Sequence, residues 1–148
     1  MNSNPRNSLD YSNAELDQMS DNTVIDVLPD KTDDENLSKY VLIKHDYYST
    51  DSDFGRHLLK TFLAGLCNSY NSSIVVYLVD KGTRLLDKTN PLYDDLLSLS
   101  RKTEIIIADQ DSIDEYGVNV SLDSGISYQS SDSIAEDVIY LADLLVLE

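Results

Sequence analysis

Residues 73–108 read SIVVYLVDKGTRLLDKTNPLYDDLLSLSRKTEIIIA, with an apolar run at each end. The first run, 73–79, and the last, 103–108, have the length and composition of strands buried on both faces of a sheet. Between them, the loop 80–90 leads into a predicted helix over 91–102, with proline in the first turn, where it is well tolerated. This order predicts two parallel strands joined by a right-handed crossover.

The same alternation of strand and helix continues on both sides of this stretch. YVLIKH at 40–45 predicts a strand, and 54–68 carries apolar residues at helical spacing. The remaining predictions are a short helix over 111–117 stopped by Gly117, a possible fourth strand at 118–121, a helix over 131–142 started by Ser131 or Asp132, and a final strand at 143–148.

These elements predict an α/β domain over residues 39–148 with three layers. Its mostly parallel sheet of about five strands is flanked by helices. Residues 1–38 are rich in Asn, Asp and Ser and contain too few apolar residues to offset the entropy of ordering the chain. We therefore expect a flexible acidic N-terminal extension at 1–38, with one short strand or turn possible at 23–28.

The charge is unevenly distributed along the chain. The net charge is −16, and residues 103–148 carry eleven acids and no Lys or Arg, whereas 39–102 carry seven acids and nine bases. Because binding to nucleic acids and anionic membranes depends on Lys and Arg, we expect no nucleic-acid or membrane partner. The basic middle and acidic end leave head-to-tail self-association open beside ordinary solubility.

The cysteine count and the hydropathy limit the cellular location of the protein and the chemistry that it can perform. The single cysteine, Cys67, cannot form an internal disulfide, and no stretch approaches the roughly 18 apolar residues of a membrane helix. The N-terminal residues lack the basic start and apolar core of a signal peptide. We expect a cytoplasmic protein with no metal site and no cofactor.

Polar residues follow the predicted strands, where ligands bind in parallel sheets. Lys44, His45 and Asp46 end the first strand and could present a base and charges to a ligand, although neighbours on a strand point to opposite faces. A hydrogen-bonded histidine at a strand end is the alternative. In the second loop, Lys81, Gly82 and Arg84 could hold a small anion, or could simply form a tight turn.

The third strand runs directly into IIIADQDSIDEYG at 105–117. Asp109, Asp111 and Asp114 could bind a divalent cation, but acids in the first turn of a helix are also expected for capping, and capping is the favoured interpretation. Ser112 has no evident activating base beside it in the sequence. Cys67 lies near the apolar face of the first helix and is interpreted as a packing residue.

Five segments in order resemble the DsrE family, and most closely the DsrE-like C-terminal domain of the YedF proteins of selenium metabolism. The resemblance covers roughly 39–148 and rests on FGRHLLKTFLAGL, VYLVDKGTRLL, PLYDDLLSL, IIIADQDSIDEYGV and GISYQSSDSIAEDVIYLADLLVL. It implies a DsrE-like fold, a homo-oligomer and a protein partner in sulfur or selenium transfer.

At the end of the third strand the sequence differs from the family that it resembles. Aligning Tyr116 and Gly117 with the family's Tyr-Gly puts Asp109 and Ser112 where related proteins carry cysteines. A carboxylate or an unactivated hydroxyl cannot be persulfidated and exchanged as a thiolate can. The resemblance further places Tyr128 in a loop that faces the same pocket.

Three functions follow as hypotheses. The first is a DsrE/YedF-like protein that lacks the site cysteines and acts as a non-catalytic binding or regulatory subunit related to sulfur or selenium transfer. The second is a small-ligand or anion-binding enzyme or sensor that uses the loops at the strand ends. The third is an acidic protein-interaction module that engages a basic partner.

Overall fold

The computed structural model describes residues 38–69 and 73–148. The extension predicted at 1–38 lies, apart from Ser38, outside the described residues, as does the possible strand at 23–28. Within the described residues the strands are β1 (Lys39–Ile43), β2 (Ile74–Leu78), β3 (Ile105–Asp109), β4 (Ile126–Gln129) and β5 (Leu144–Leu147). The helices are α1 (Asp53–Cys67), a 3₁₀ helix (Asp80–Leu86), α2 (Tyr93–Ser100), α3 (Gln110–Tyr116) and α4 (Ser131–Val138).

The five strands form one sheet in the order β4-β3-β2-β1-β5, and every neighbouring pair is parallel. Successive strands from β1 to β4 step outward in one direction, and β5 returns to the other side of β1. The predicted three-layer α/β architecture with a sheet of about five strands is therefore confirmed. The carboxyl ends of all five strands lie on one edge of the sheet, as in other parallel sheets.

Alternate residues of the strands supply two apolar cores. On the first face, Val41, Val76 and Ile106 are buried under α1, the 3₁₀ helix, α2 and α3. On the second face, Val75, Tyr77 and Ile107 pack with Ile134 of α4. Central strands buried on both faces explain why they read as unbroken apolar runs.

Two strand predictions need correction. The segment 118–121 does not form the fourth strand; it contributes only an isolated bridge between Val120 and Asp87, while Ile126–Gln129 pairs with β3. Val118 and Val120 pack against the first core, which gave the segment its strand-like alternation. The first strand also ends at Ile43, so Lys44, His45 and Asp46 lie in the loop that follows.

Two other corrections concern helix starts and loops. The stretch 80–90 is not an open loop, because Asp80–Leu86 forms a 3₁₀ helix with four of its residues buried. Helix α4 begins at Ser131, as predicted, but it ends at Val138 rather than at 142, and its capping residue is Ser130, whose hydroxyl accepts from the Ser133 N–H. Gly117 ends α3 in the left-handed conformation, and the predicted stop of this helix at Gly117 is correct.

Within residues 38–69 and 73–148, no helix has the length and apolar character that crossing a bilayer requires.

Candidate functional site at the carboxyl ends of the strands

Asp109 is the last residue of β3 and the capping residue of α3, and only 4% of it is exposed. Its carboxylate accepts hydrogen bonds from the Asp111 N–H at 3.1 Å, the Ser112 hydroxyl at 2.6 Å and the Ser131 hydroxyl at 2.7 and 2.8 Å. A buried carboxylate is tolerated only when its oxygens find such donors. Asp109 therefore ties the starts of α3 and α4 to the end of β3.

Ser112 lies at the centre of this cluster, and its hydroxyl both donates and accepts a hydrogen bond. The oxygen accepts from the Asp80 N–H at 2.9 Å while the hydroxyl donates to Asp109. The Ser131 N–H also donates to the Asp111 carboxylate at 2.9 Å, which closes a second link to α4. The end of β3 thus carries a closed hydrogen-bonded cluster with no thiol. Capping, the favoured interpretation of the acids at 109–114, accounts for Asp109.

Asp80 connects β2 to the same cluster and was not a predicted site residue. It has a positive φ of 51°, which is uncommon for a residue with a side chain. Besides the N–H bond to Ser112, its carbonyl accepts from the Thr83 hydroxyl at 2.8 Å and its carboxylate accepts a short hydrogen bond from the Tyr116 hydroxyl. This bond to Asp80 is the main reason why the pKa of Tyr116 is raised.

Gly82 is required by close packing of backbones. A Cβ at this position would lie 2.2 Å from the carbonyl oxygen of Ile43. Its N–H donates to the carbonyls of Lys44, at 3.1 Å, and Val79, at 2.9 Å. The N–H of Gly82 is therefore used inside the protein, and the glycine sets how closely the 3₁₀ helix approaches the end of β1.

Arg84 lies over the ring of Tyr116, with the guanidinium carbon 4.8 Å from the ring centre. No carboxylate of residues 38–69 or 73–148 forms an ion pair with Arg84. The side chain borders a groove of about 290 Å³ lined by Arg84, Asp87, Thr89, Asn90, Pro91, Tyr116, Gly117 and Val118. Lys81, the other predicted cation of this loop, is partly exposed and does not line this groove.

The loop after β1 brings its three predicted residues to different partners. Lys44 pairs with Glu148 at 2.8 Å, and Asp46 accepts from the Asn90 side chain at 3.1 Å. His45 stacks on Tyr47 with ring centres 4.7 Å apart, and its buried Nδ1 has no hydrogen-bond partner among the described residues. Across residues 38–69 and 73–148, no hydrogen bond joins His45 to Asp46 or to Arg84.

Tyr128 lies in β4 rather than in a loop. It pairs in register with Ala108 of the neighbouring strand, and 47% of the residue is exposed. It therefore belongs to the edge of the sheet.

Cys67 is the last residue of α1 and packs, partly exposed, against the first core. Its surroundings raise the pKa of the thiol, mainly through burial. A raised pKa keeps the sulfur protonated near neutral pH, and the thiol is a poor nucleophile compared with the thiolate. In the described part of the chain, no three His, Cys, Asp or Glu residues come together in a way that could hold a metal ion.

Sequence reasoning found Asp109, Ser112 and Arg84 but missed Asp80, Tyr116 and Ser131. Tyr116 was used only to align the chain with the DsrE family. Ser131 was read as a cap for its own helix, whereas its hydroxyl reaches Asp109, 22 residues earlier in the sequence. Their positions in the sequence could have indicated them, because Asp80 and Ser131 each come two residues after the end of a strand, at the edge where all strands end.

Comparisons with known proteins give a structural likeness but no family assignment. No family model matches the sequence, and no curated protein is found to be similar. A similar solved structure is the crystal structure of the ychN protein from E. coli, with 13% sequence identity and a TM-score of 0.47. The similarity covers 75% of this chain and 100% of that one. This identity is too low to transfer the role of any residue.

Proposed function

We propose that the chain is a DsrE/YedF-like protein that binds a partner without performing thiol chemistry. The observation that carries the proposal is the cluster at the end of β3. There, Asp109 and Ser112 occupy the positions that the family resemblance assigns to cysteines, and they are bonded to each other, to Asp80 and to Ser131. Neither a carboxylate nor a hydroxyl can form the persulfide that a sulfur relay passes on.

The position of Cys67 supports the same conclusion. It belongs to α1 and packs against the first core rather than joining the cluster at the strand ends, and burial raises the pKa of its thiol. A relay cysteine needs a low pKa and access to a partner. In this proposal the protein acts as a binding or regulatory subunit in sulfur or selenium transfer, within a homo-oligomer.

The test is persulfide loading of the full chain. The protein is incubated with a persulfide donor, and the mass of Cys67-containing peptides is measured after removal of the donor. The proposal predicts that Cys67 carries no stable additional sulfur. A stable persulfide on Cys67 would overturn it.

A second candidate, a sensor for a small ligand, is favoured by Arg84. This cation lines a groove next to the strand ends and forms no ion pair with residues 38–69 or 73–148. An arginine without a carboxylate partner can bind a carboxylate or phosphate group of a ligand through two parallel hydrogen bonds. Saturable binding of a small molecule that is lost in Arg84→Gln would support this candidate.

A further inference from the structure

The groove beside Arg84 has walls built from two separate parts of the chain. One wall is the end of the 3₁₀ helix with the turn at 87–91, and the other is the end of α3 with Gly117 and Val118. Its volume of about 290 Å³ lies at the lower end of the range for ligand pockets, so it suits a small molecule.

Arg84 offers a fixed positive charge on one side of the groove. The ring of Tyr116 supports the guanidinium from below, and the hydroxyl of Tyr116 is held by Asp80. This support restricts the arginine and leaves its N–H groups free of carboxylates from residues 38–69 and 73–148. A supported guanidinium that lacks a partner is suited to bind a carboxylate with two parallel hydrogen bonds.

Asp87 offers a negative charge to the same groove. Asp87 is the extended residue that directly follows the 3₁₀ helix, and it lines the same groove as Arg84. The two do not pair, because the Asp87 carboxylate turns to the N–H and hydroxyl of Thr89, at 3.0 and 2.9 Å, and to the Asn119 N–H at 3.3 Å. These donors, led by the Thr89 N–H, lower the pKa of Asp87 and keep it ionised at neutral pH.

The two charges select against ligands that carry only one sign. A phosphate or sulfate ion would meet Asp87 and the net charge of −16, and a simple cation would meet Arg84. A zwitterion avoids both penalties, since it has no net charge and carries one group for each side chain. The remaining lining includes Pro91 and Val118, which offer apolar contact to a short side chain.

We propose that this groove binds a small α-amino acid with an apolar side chain, its carboxylate on Arg84 and its ammonium group on Asp87. The site does not include Asp109 or Ser112, and its ligand takes part in no sulfur chemistry. It would give the protein a ligand whose presence can be signalled through Tyr116 and Asp80 to the ends of β2 and β3.

L-valine is the probe, and calorimetry with the full chain is the measurement. Two analogues each lack one charge: 3-methylbutanoate has no ammonium group, and 2-methylpropylamine has no carboxylate. Because a hydrogen bond to a charged group contributes to binding on each side, we expect each analogue to bind at least about tenfold more weakly than valine. Amide chemical shifts of Gly117 and Val118 should move on titration with valine.

Matched variants locate the binding. Arg84→Gln and Asp87→Asn should each weaken valine binding by about tenfold or more, and Asn at 87 retains an oxygen for the Thr89 donors. Arg101→Gln and Asp94→Asn change exposed residues outside the groove and should leave binding unchanged. If Asp87→Asn does not fold, Arg84→Gln and the two analogues still decide the result.

Several outcomes would overturn the proposal. These are no heat or shift change with 50 mM valine, equal binding of valine and 3-methylbutanoate, equal binding of inorganic phosphate, or full binding by Arg84→Gln. Loss of binding in Arg101→Gln to the same extent would also overturn it, because the effect would then be one of general charge.

Discussion

The hydroxyl of Ser112 donates a hydrogen bond of 2.6 Å to the carboxylate of Asp109 at the junction of β3 and α3. The same carboxylate accepts a hydrogen bond from the hydroxyl of Ser131 at the start of α4. Helices α3 and α4, which pack on opposite faces of the sheet, are therefore joined through Asp109. This arrangement makes the strand ends a structural junction.

Replacing Asp109 with Asn should destabilise the protein by about 2 kcal/mol or more. The amide keeps the shape of the side chain, but one oxygen becomes an N–H₂ donor. In place of Oδ2 it faces the hydroxyls of Ser112 and Ser131, and in place of Oδ1 it faces the Asp111 N–H and the Ser131 hydroxyl. Urea unfolding followed by circular dichroism measures the loss. Asp123→Asn, at an exposed position, is the matched control and should change stability little. Equal stability of the two variants would show that Asp109 does not hold the junction.

Two glycine substitutions should have opposite effects. Gly82→Ala places a methyl group 2.2 Å from the Ile43 carbonyl oxygen, and the backbone must shift at a cost of about 1–3 kcal/mol. Gly65→Ala lies within α1 with nothing within 4 Å of the added Cβ, so it should stabilise by about 0.5–1 kcal/mol. Thermal unfolding of both variants provides the comparison. A stable Gly82→Ala protein would mean that the 3₁₀ helix can move away from β1.

The hydrogen bond between Tyr116 and Asp80 predicts a specific pH dependence. Because its folded pKa is raised, Tyr116 contributes stability that is fully present below the ordinary tyrosine pKa and is lost as the pH rises through the folded value. Burial also raises the pKa of Tyr77, so Tyr116 and Tyr77 should both titrate above the ordinary tyrosine pKa. Nuclear magnetic resonance of ring-labelled tyrosine measures each titration. Tyr116→Phe should remove one of these two titrations and leave that of Tyr77 in place. If both titrations persist in Tyr116→Phe, the raised pKa does not belong to Tyr116.

Cys67 should react slowly with thiol reagents in the folded protein. Burial raises the pKa of its thiol, so at pH 7.5 the folded chain carries less thiolate than the unfolded chain. The rate of reaction with a disulfide reagent, measured from pH 7 to 9.5 with and without urea, should show a later rise in the folded state. Equal or faster reaction of the folded protein at pH 7.5 would indicate an activated thiol.

The sequence predicts the central strands and the longest helix well because their signals are strong and local. β2 and β3 are buried on both faces, so IVVYL and IIIAD read as unbroken apolar runs. β4 was misplaced because it is an edge strand: ISYQ has one apolar aliphatic residue, and none of its four residues is fully buried. The preceding Val118 and Val120 pack against the core from a loop and gave a better strand pattern than the true strand.

The site was only partly predictable for a related reason. Asp109 and Ser112 are only three residues apart, so capping can be predicted directly from the local sequence. The links of Ser112 to Asp80, 32 residues away, and of Asp109 to Ser131, 22 residues away, depend on which strands become neighbours. Strand order is set by the packing of the whole sheet, and the pattern of single segments does not contain it. The groove of Arg84 likewise needs α3 and the 3₁₀ helix to be placed side by side.

The measurement that tests the central claim most directly is sulfur loading of the wild-type chain beside Ser112→Cys. Both proteins are incubated with the same persulfide donor, and peptide masses report sulfur at Cys67 and at position 112. The account predicts no stable persulfide on the wild-type chain, because Cys67, its single cysteine, packs against the first core and burial raises the pKa of its thiol. The Ser112→Cys variant is the comparison, since it places a thiol at the strand ends. A stable persulfide on Cys67 of the wild-type protein would contradict it.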